Sequence, residues 1–221
     1  MKIGIIGQGF VGTAVREGFK NFFNIETFDI SKESTCTSTE EVCSKSDITF
    51  VCLPTPMKKD GSCYTGIVEK VLSEINNINK CNVIVVKSTI PPGTTAKWNK
   101  MFSNIDIVFN PEFLTEANAI NDFKNQNRII IGGPKKAASK VRRLFVKVFP
   151  KVKIIKTDST YAEMVKYITN AFLATKVSFA NEMYEICDYL KIDYDKVIEY
   201  AMHDERLGYS HWSVPGPDGD F

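Results

Sequence analysis

The chain has 221 residues, of which 43% are hydrophobic and 24% are charged, and its net charge is +2. These proportions are those of a soluble globular protein that can bury a full hydrophobic core without disulfides or metal ions. Basic and acidic residues are interspersed and form no basic stripe, so we expect neither a nucleic-acid partner nor a membrane surface. The apolar runs are far shorter than the roughly 20 residues that cross a bilayer.

The N-terminus and the cysteines indicate the compartment. Residues 1–6 run directly into a glycine motif without a signal-peptide cleavage site, which predicts a cytoplasmic protein. The six cysteines and two histidines include no CxxC pair and no cluster with metal-ligand spacing. We therefore expect reduced thiols and no zinc or other metal site.

Short β-branched runs alternate with helical patterns over the first part of the chain. The predicted strands, in chain order, are residues 2–6, 25–29, 48–52, 83–87, 107–109, 128–131 and 153–156. Apolar residues spaced three to four apart predict helices at residues 11–22, 66–75, 94–102 and 135–149. This alternation predicts an α/β fold with a Rossmann-type, doubly wound and mostly parallel sheet.

The pattern changes after Asp158. The next thirty or so residues, up to Leu190, have the pattern of one long helix capped by Asp158 or Ser159, and a second helix follows Asp193 and ends near Met202. We therefore expect a dinucleotide-binding domain at 1–157 and a helical region at 158–221. The long helix has more apolar positions than one sheet domain can cover, which predicts a homodimer across it.

A glycine motif opens the first predicted helix. Gly7-Gln8-Gly9-Phe10-Val11-Gly12 matches GxGxxG and follows an apolar strand, a context that predicts a dinucleotide held with its pyrophosphate at the helix N-terminus. Asp29 ends the next strand, where a carboxylate accepts hydrogen bonds from the adenosine ribose hydroxyls. Because this carboxylate would repel a 2′-phosphate and Lys32 is the only nearby cation, we predict NAD rather than NADP. The alternative for Asp29 is an acidic turn residue without a ligand.

Further stretches carry a resemblance to a known family. In chain order they are Leu53-Pro54-Thr55-Pro56, Lys87-Ser88-Thr89-Ile90-Pro91-Pro92-Gly93-Thr94, Asn110-Pro111-Glu112-Phe113-Leu114-Thr115-Glu116, Glu163-Met164-Val165-Lys166-Tyr167-Ile168-Thr169-Asn170 and Asp204-Glu205-Arg206-Leu207-Gly208. Together they resemble the UDP-glucose/GDP-mannose dehydrogenase family, whose members oxidise the C6 alcohol of a nucleotide-linked hexose to a carboxylate with two NAD per sugar. The resemblance implies a nucleotide-sugar substrate, UDP-glucose being the expected one, and a homodimer.

Two residues of the fourth stretch make chemical sense without the resemblance. Lys166 and Asn170 are four residues apart, so on a helix they project from one face and can converge on one oxygen atom. A cation and an amide donor would stabilise the negative charge that develops when an alcohol loses its proton and hydride. The resemblance assigns them the sugar C6 oxygen. It also implies that Glu116 transfers protons with a water molecule and that Thr89 helps to hold either that water or the reacting group.

The resemblance also implies which residues hold the ligands. Besides the glycine motif, Asp29 and Lys32, the residues expected to contact the cofactor are Pro54, Thr55, Ser88, Thr89 and Glu116. The residues expected to contact the substrate are Glu112, Phe113, Leu114, Lys166, Asn170 and Arg206, of which Arg206 would contact either substrate or a neighbouring subunit. Five of these residues have ordinary alternatives: Lys166 as a solvated lysine, Asn170 as a polar helix residue, Glu112 and Glu116 as helix-start carboxylates, and Thr89 as a turn threonine.

One part of the family pattern is absent. The Gly-Gly-x-Cys-x-x-Lys-Asp stretch, whose cysteine attacks the aldehyde intermediate, does not occur in this sequence, although residues 215–221 resemble the approach to it. None of the cysteines has a matching context, and Cys187 is expected to be buried packing. We therefore expect this chain to bind NAD but not to complete both oxidations. A single-step 3-hydroxy-acid dehydrogenase and a non-catalytic NAD-binding module stay open as alternatives.

Overall fold

The computed structural model describes residues 1–78 and 82–216. One sheet is built from β1 (Lys2–Ile6), β2 (Asn24–Phe28), β3 (Ile48–Val51), β4 (Asn82–Val86), β5 (Ile105–Phe109), β6 (Arg128–Gly132) and β7 (Lys153–Thr157). The strand order is β2-β1-β3-β4-β5-β6-β7. Neighbouring strands are parallel except for β5 and β6, which pair antiparallel. The predicted mostly parallel sheet is thus confirmed.

Helices connect the strands. They are α1 (Phe10–Phe19), α2 (Thr39–Lys45), α3 (Gly66–Asn76), α4 (Thr94–Met101), α5 (Ala119–Lys124), α6 (Lys135–Val148), α7 (Ser159–Leu190) and α8 (Tyr194–Ala201), followed by a 3₁₀ turn at Glu205–Leu207. The sequence analysis did not predict the short helices α2 and α5. Asp158 caps α7, since its carboxylate accepts the Thr160 N–H at 2.9 Å, and Asp193 caps α8 by accepting the Lys196 N–H at 3.3 Å.

The core lies on both faces of the sheet. In β4, Val83 and Val85 belong to the apolar cluster that includes α1, α5 and α6, whereas Ile84 and Val86 belong to the cluster that includes α2, α3 and α4. Because successive side chains of a strand point to opposite faces, the two clusters lie on opposite sides of the sheet. The helices therefore cover both faces, which is the doubly wound arrangement.

The chain divides into two compact units. The first is Met1–Lys166, and the second begins at Tyr167. This division lies within α7, whereas the sequence analysis expected a domain boundary before that helix, at 157/158. Within the second unit, α7 continues to Leu190 and α8 follows. Among residues 1–78 and 82–216, no helix is both long and apolar enough to cross a membrane. Residues 217–221, part of the stretch expected to approach the cysteine motif, lie outside the described residues.

Candidate functional site

A cleft of about 1070 Å³ lies at the carboxyl ends of the first four strands, within the first unit. Its walls come from the residues that follow β1, β2, β3 and β4. In the strand order, β1 lies between β2 and β3, so the chain reverses its direction of winding there. Open parallel sheets hold their ligands at such a switch point, outside the carboxyl ends of the strands.

The glycine motif forms the turn between β1 and α1 at the bottom of the cleft. Gly7 has a φ of +88°, and a Cβ atom there would lie 2.4 Å from the carbonyl oxygen of Cys52. A Cβ atom on Gly12 would lie 1.9 Å from the carbonyl oxygen of Gly7, so only glycine lets the helix approach the strand. No side chain caps α1 at Gly9, and its first turn faces the cleft, where it can bind a phosphate.

Asp29 lines one end of the cleft and is hydrogen-bonded to the glycine motif. Its Oδ2 atom accepts the Gln8 N–H at 2.6 Å, and Oδ1 accepts the Ser31 N–H at 2.8 Å and the Ser31 hydroxyl at 2.9 Å. Burial acts to raise the pKa of Asp29, but the bonds from Gln8 and Ser31 outweigh it, so the pKa lies below its usual value. The carboxylate is therefore charged at neutral pH.

Lys32 also lines this end of the cleft, but its ammonium group binds the protein. Its Nζ atom donates to the carbonyl oxygen of Gln8 at 2.7 Å. The Asp29 carboxylate accepts three bonds from Gln8 and Ser31, and the backbone of Lys32 also acts to lower its pKa. The arrangement leaves a negative charge at this end of the cleft, while the Lys32 ammonium is bonded to the Gln8 carbonyl.

The loops after β3 and β4 form the opposite end of the cleft. The Ser88 hydroxyl donates to the Leu53 carbonyl at 2.6 Å and accepts the Leu53 N–H at 3.1 Å, while the Thr55 hydroxyl donates to the Thr89 carbonyl at 2.7 Å. Pro54, Thr55, Ser88 and Thr89 all line the cleft. The structure thus brings together the predicted residues of these two stretches.

Lys166 forms a buried ion pair with Glu112. The Lys166 Nζ and Glu112 Oε1 atoms are 2.6 Å apart, and the side chains are only 6% and 11% exposed. The other oxygen of Glu112 accepts the Leu114 N–H at 2.7 Å, and the ring of Phe113 lies 5.7 Å from the Lys166 ammonium. Glu112 lines the cleft and also a smaller pocket of about 340 Å³ that Phe113 and Leu114 share. The predicted substrate segment therefore meets Lys166 within the first unit.

Lys87, for which the sequence predicted no role, lines the cleft and is 3% exposed. Its Nζ atom donates to the Asn110 side-chain oxygen at 2.9 Å and to the Asn110 carbonyl at 3.2 Å, and Asn110 donates in turn to the Ile130 carbonyl at 2.7 Å. Burial lowers the pKa of Lys87 to about 8 and raises the pKa of its neighbour Cys52 to about 12. The sequence signal was a lysine that directly follows an apolar strand.

Three predicted residues lie elsewhere. Glu116 is exposed and is not among the described residues that line the cleft. Asn170 is exposed on α7 in the second unit. Arg206 is also in the second unit, where its side chain is 88% exposed and its Nε atom donates to Asp204 at 2.8 Å. Their proposed roles therefore do not follow from the geometry of the cleft.

Among the described cysteines, Cys36, Cys52, Cys63 and Cys187 are free thiols. Cys187 is buried, as the sequence analysis expected. Within the described residues, no three histidine, cysteine or acidic side chains come together in a way that could hold a metal ion. The position of Cys81 lies outside the described residues.

Comparison with family models identifies both parts of the chain. Residues 29–150 match the NAD binding domain of the UDP-glucose/GDP-mannose dehydrogenase family, and residues 160–219 match the central domain of the same family. NAD is thus the cofactor of the first unit. The matched family is the one that the sequence motifs resemble and differs from the 3-hydroxy-acid dehydrogenases that were the alternative.

Individual relatives agree with these matches. The chain is 31% identical to UDP-glucose 6-dehydrogenase YwqF of Bacillus subtilis, an alignment that covers 94% of this chain and 56% of that protein. A UDP-glucose dehydrogenase from Pyrobaculum islandicum has a TM-score of 0.84 at 27% identity, covering 96% of this chain and 58% of that one. A GDP-mannose dehydrogenase ternary complex from Pseudomonas aeruginosa has a TM-score of 0.83 at 25% identity, covering 97% and 59%. The chain thus spans little more than half the length of these relatives.

Proposed function

Because the chain belongs to the UDP-glucose/GDP-mannose dehydrogenase family, we propose that the complete protein oxidises the C6 alcohol of a nucleotide-linked hexose to the carboxylate. UDP-glucose is the proposed substrate, and UDP-glucuronate is the proposed product. The observation that carries the proposal is the buried pair of Lys166 and Glu112, with its two atoms 2.6 Å apart, beside a cleft built for NAD. A buried cation beside the reacting oxygen would stabilise the negative charge that develops as the alcohol is oxidised.

We place the cofactor along the cleft. The adenosine ribose would donate to Asp29, the pyrophosphate would lie at the first turn of α1, and the nicotinamide would lie near Ser88 and Thr89. Two features support this orientation: the glycine turn and Asp29 are joined by the bond from Gln8, and the loops after β3 and β4 form the far end. When bound, NAD accepts the hydride from the sugar.

Lys166 is the proposed electrostatic group. Glu112 and the ring of Phe113 hold its ammonium in place before a substrate arrives. A sugar oxygen beside this ammonium would meet a preorganised, buried hydrogen-bond donor, and such a donor stabilises an alkoxide more strongly than it would in water. Asn170 would add an amide donor, Thr89 would hold a water, and Glu116 with that water would transfer protons. Phe113, Leu114 and Arg206 would contact the substrate.

The second oxidation requires a covalent step in this proposal. A thiolate would attack the aldehyde to form a thiohemiacetal, which would give up its hydroxyl proton and a second hydride, accepted by a second NAD, to become a thioester; water would hydrolyse this to the carboxylate and release the thiol. No cysteine of this sequence stands in the family's Gly-Gly-x-Cys context. We propose that a segment outside these 221 residues supplies the thiol.

A homodimer across α7 is also proposed. Large apolar side chains of this helix are well exposed, with Ile168 at 59%, Phe172 at 64%, Phe179 at 51% and Ile186 at 47%. Exposed apolar side chains in such number are typical of an interface that a partner covers. Val165, Val177 and Met183, the other apolar positions of the predicted interface, are half-buried.

The role of Lys166 is the part of the proposal that an experiment can test most simply. In the complete protein, Lys166→Ala should lower kcat by about 100-fold or more, because the developing oxyanion loses its cation. The affinity for NAD should change little, since the cofactor lies along the other residues of the cleft. Lys191→Ala, at an exposed lysine just after α7, is the matched control and should leave kcat unchanged. An unchanged kcat for Lys166→Ala would contradict the proposed role of Lys166 in stabilising the oxyanion.

A further inference from the structure

Glu163 is a buried charge that neither the cofactor nor the substrate proposal uses. It lies on α7, one turn before Lys166, and is 0% exposed. Its Oε2 atom accepts the Gly93 N–H at 2.5 Å, and its Oε1 atom accepts the Thr95 N–H at 2.8 Å. Both oxygens of the carboxylate are therefore bonded to the backbone at the start of α4.

The start of α4 needs an acceptor from elsewhere. Its N-cap residue is Gly93, which has a φ of +91° and no side chain that could accept from the first turn. In an ordinary capping box, the cap side chain and a glutamate on the same helix bind backbone N–H groups at both ends of the first turn. Here Glu163 alone, from a different helix, accepts the N–H of the cap residue and of the second helical residue. Its negative charge also lies at the positive end of α4.

The position of Glu163 is itself fixed by close packing. A Cβ atom on Gly132, at the end of β6, would lie 2.7 Å from the Cβ atom of Ala162 and 2.7 Å from the Cα atom of Ser159. The first turn of α7 therefore rests directly on the sheet. Burial raises the pKa of Glu163, while the bonds from Thr95 and Gly93 oppose that rise. A buried charge of this kind persists only where its hydrogen bonds are well formed.

The turn that Glu163 holds leads back to the cleft. Residues 89–93 connect Thr89, which lines the cleft, to Gly93. Within this turn Ile90 is fully buried, and the Thr94 N–H and hydroxyl both donate to the Pro91 carbonyl at 3.1 and 2.6 Å. With Gly93 fixed at one end and the Thr89 carbonyl bonded to Thr55 at the other, the turn has little freedom.

From these contacts we propose that Glu163 is a positioning residue that holds the Thr89–Gly93 turn and thereby shapes the nicotinamide end of the cleft. One turn apart on α7, Glu163 and Lys166 then hold the two loops that carry the proposed catalytic groups: Glu163 binds the loop after β4, and Lys166 binds Glu112 in the loop after β5. The link to nicotinamide rests on the orientation of NAD given under the proposed function.

Residue-resolved amide hydrogen exchange tests whether Glu163 holds the Thr89–Gly93 turn, and it needs no assay of activity. In the 221-residue chain, Glu163→Gln keeps the size of the side chain but replaces one acceptor oxygen with a donor. Exchange at the Gly93 and Thr95 amides should become about tenfold faster or more, which corresponds to the loss of a hydrogen bond to a charged group. The matched control is Asp193→Ala, which removes the cap of α8 in the second unit and should leave both amides unchanged. Unchanged exchange in Glu163→Gln would overturn the proposal.

Titration with NAD and with ADP-ribose tests the effect on the cleft. ADP-ribose has every part of NAD except the nicotinamide. Glu163→Gln should lower the affinity for NAD several-fold and leave the affinity for ADP-ribose unchanged. An equal loss of affinity for both ligands, or an equal loss in Asp193→Ala, would show a general loss of stability and overturn the proposal. If the unaltered chain binds NAD no more tightly than ADP-ribose, the nicotinamide adds no net affinity, and the exchange rates alone decide the role of Glu163. If Glu163→Gln does not fold, the same measurements on Glu163→Asp test the proposal. The aspartate side chain is one methylene shorter, so its carboxylate cannot reach both amides.

Discussion

At the scale of single residues, the position of Asp29 could be predicted from the sequence, but its hydrogen bonds could not. Its spacing from the glycine motif was enough to predict its place at the end of the second strand. The three bonds that Gln8 and Ser31 donate to its carboxylate were not visible in the pattern. They matter because they keep the carboxylate charged and fix its orientation before a cofactor binds.

The charge on Asp29 should decide between the two nicotinamide cofactors. Titration of the chain should show NAD bound more tightly than NADP by about one to two kcal/mol, the scale of a hydrogen bond to a charged group. Asp29→Ala should remove most of this difference, while Asp188→Ala, at an exposed aspartate of α7, should not. Equal affinities for both cofactors in the unaltered chain would contradict the assignment of Asp29.

Lys87 should make the stability of the fold depend on pH. The pKa of its ammonium is about 8 in the folded protein, against 10.5 for an ordinary lysine, because burial disfavours the charge. Between these two values the folded state binds fewer protons than the unfolded state, so stability rises with pH across this window. The free energy of unfolding of the unaltered protein, minus that of Lys87→Met, should rise by roughly 3 kcal/mol from pH 7 to above pH 10, as the shift in the pKa of Lys87 implies.

Denaturant unfolding at several pH values measures this difference. Comparison with Lys87→Met cancels most other titrating groups, which the two proteins share. A difference that stays constant with pH would mean that Lys87 has an ordinary pKa and would contradict the account of its burial.

At the scale of elements, periodicity predicted well what depends on local sequence. The strands and the longer helices follow the apolar pattern, and Asp158 and Asp193 cap the helices that they were expected to cap. The helices α2 and α5 were not predicted because each has only seven or six residues, too few to show a period. The cap of α2 was present in the sequence as Ser38, whose hydroxyl accepts the Glu41 N–H at 3.1 Å.

The contacts between elements were harder to predict than the elements themselves. Val51, Val86 and Phe109 are in register in β3, β4 and β5, so Cys52, Lys87 and Asn110 lie side by side at the carboxyl edge of the sheet. Nothing in the spacing of these residues along the chain indicates that they meet. The motif resemblance singled out Lys166 and Glu112 as separate substrate residues. Only the structure shows that their side chains are in contact.

The exposed side of α7 gives a prediction about assembly. Phe172→Glu places a charge among the apolar side chains of the proposed interface, where burial of an unpaired charge is costly. Light scattering at micromolar concentration should show the unaltered chain as a dimer and Phe172→Glu as a monomer. Ser73→Glu adds the same charge at an exposed position of α3 in the first unit and should remain dimeric. A monomeric unaltered chain would contradict the proposed interface.

At the scale of the whole molecule, the chain combines an NAD-binding unit with a second unit that begins at Tyr167, within the match to the family's central domain. The first unit holds the cleft and the pair of Lys166 and Glu112, and it spans the match to the family's NAD binding domain. The chain covers 56% of the length of the YwqF relative. In the proposed mechanism the first hydride transfer would use Lys166, whereas the thiol of the second would come from outside this sequence, in which no cysteine has the Gly-Gly-x-Cys context.

The yield of NADH per sugar tests the central claim most directly. The 221-residue chain and the complete protein would each be incubated with excess NAD and a limiting amount of UDP-glucose or GDP-mannose, and NADH would be followed by its absorbance. We predict that the complete protein forms two NADH for each molecule of one of these sugars, and that the 221-residue chain binds NAD without forming the acid. Two NADH per sugar from the short chain would show that the nucleophile lies within it, and no NADH from the complete protein with any nucleotide sugar would contradict the proposed function itself.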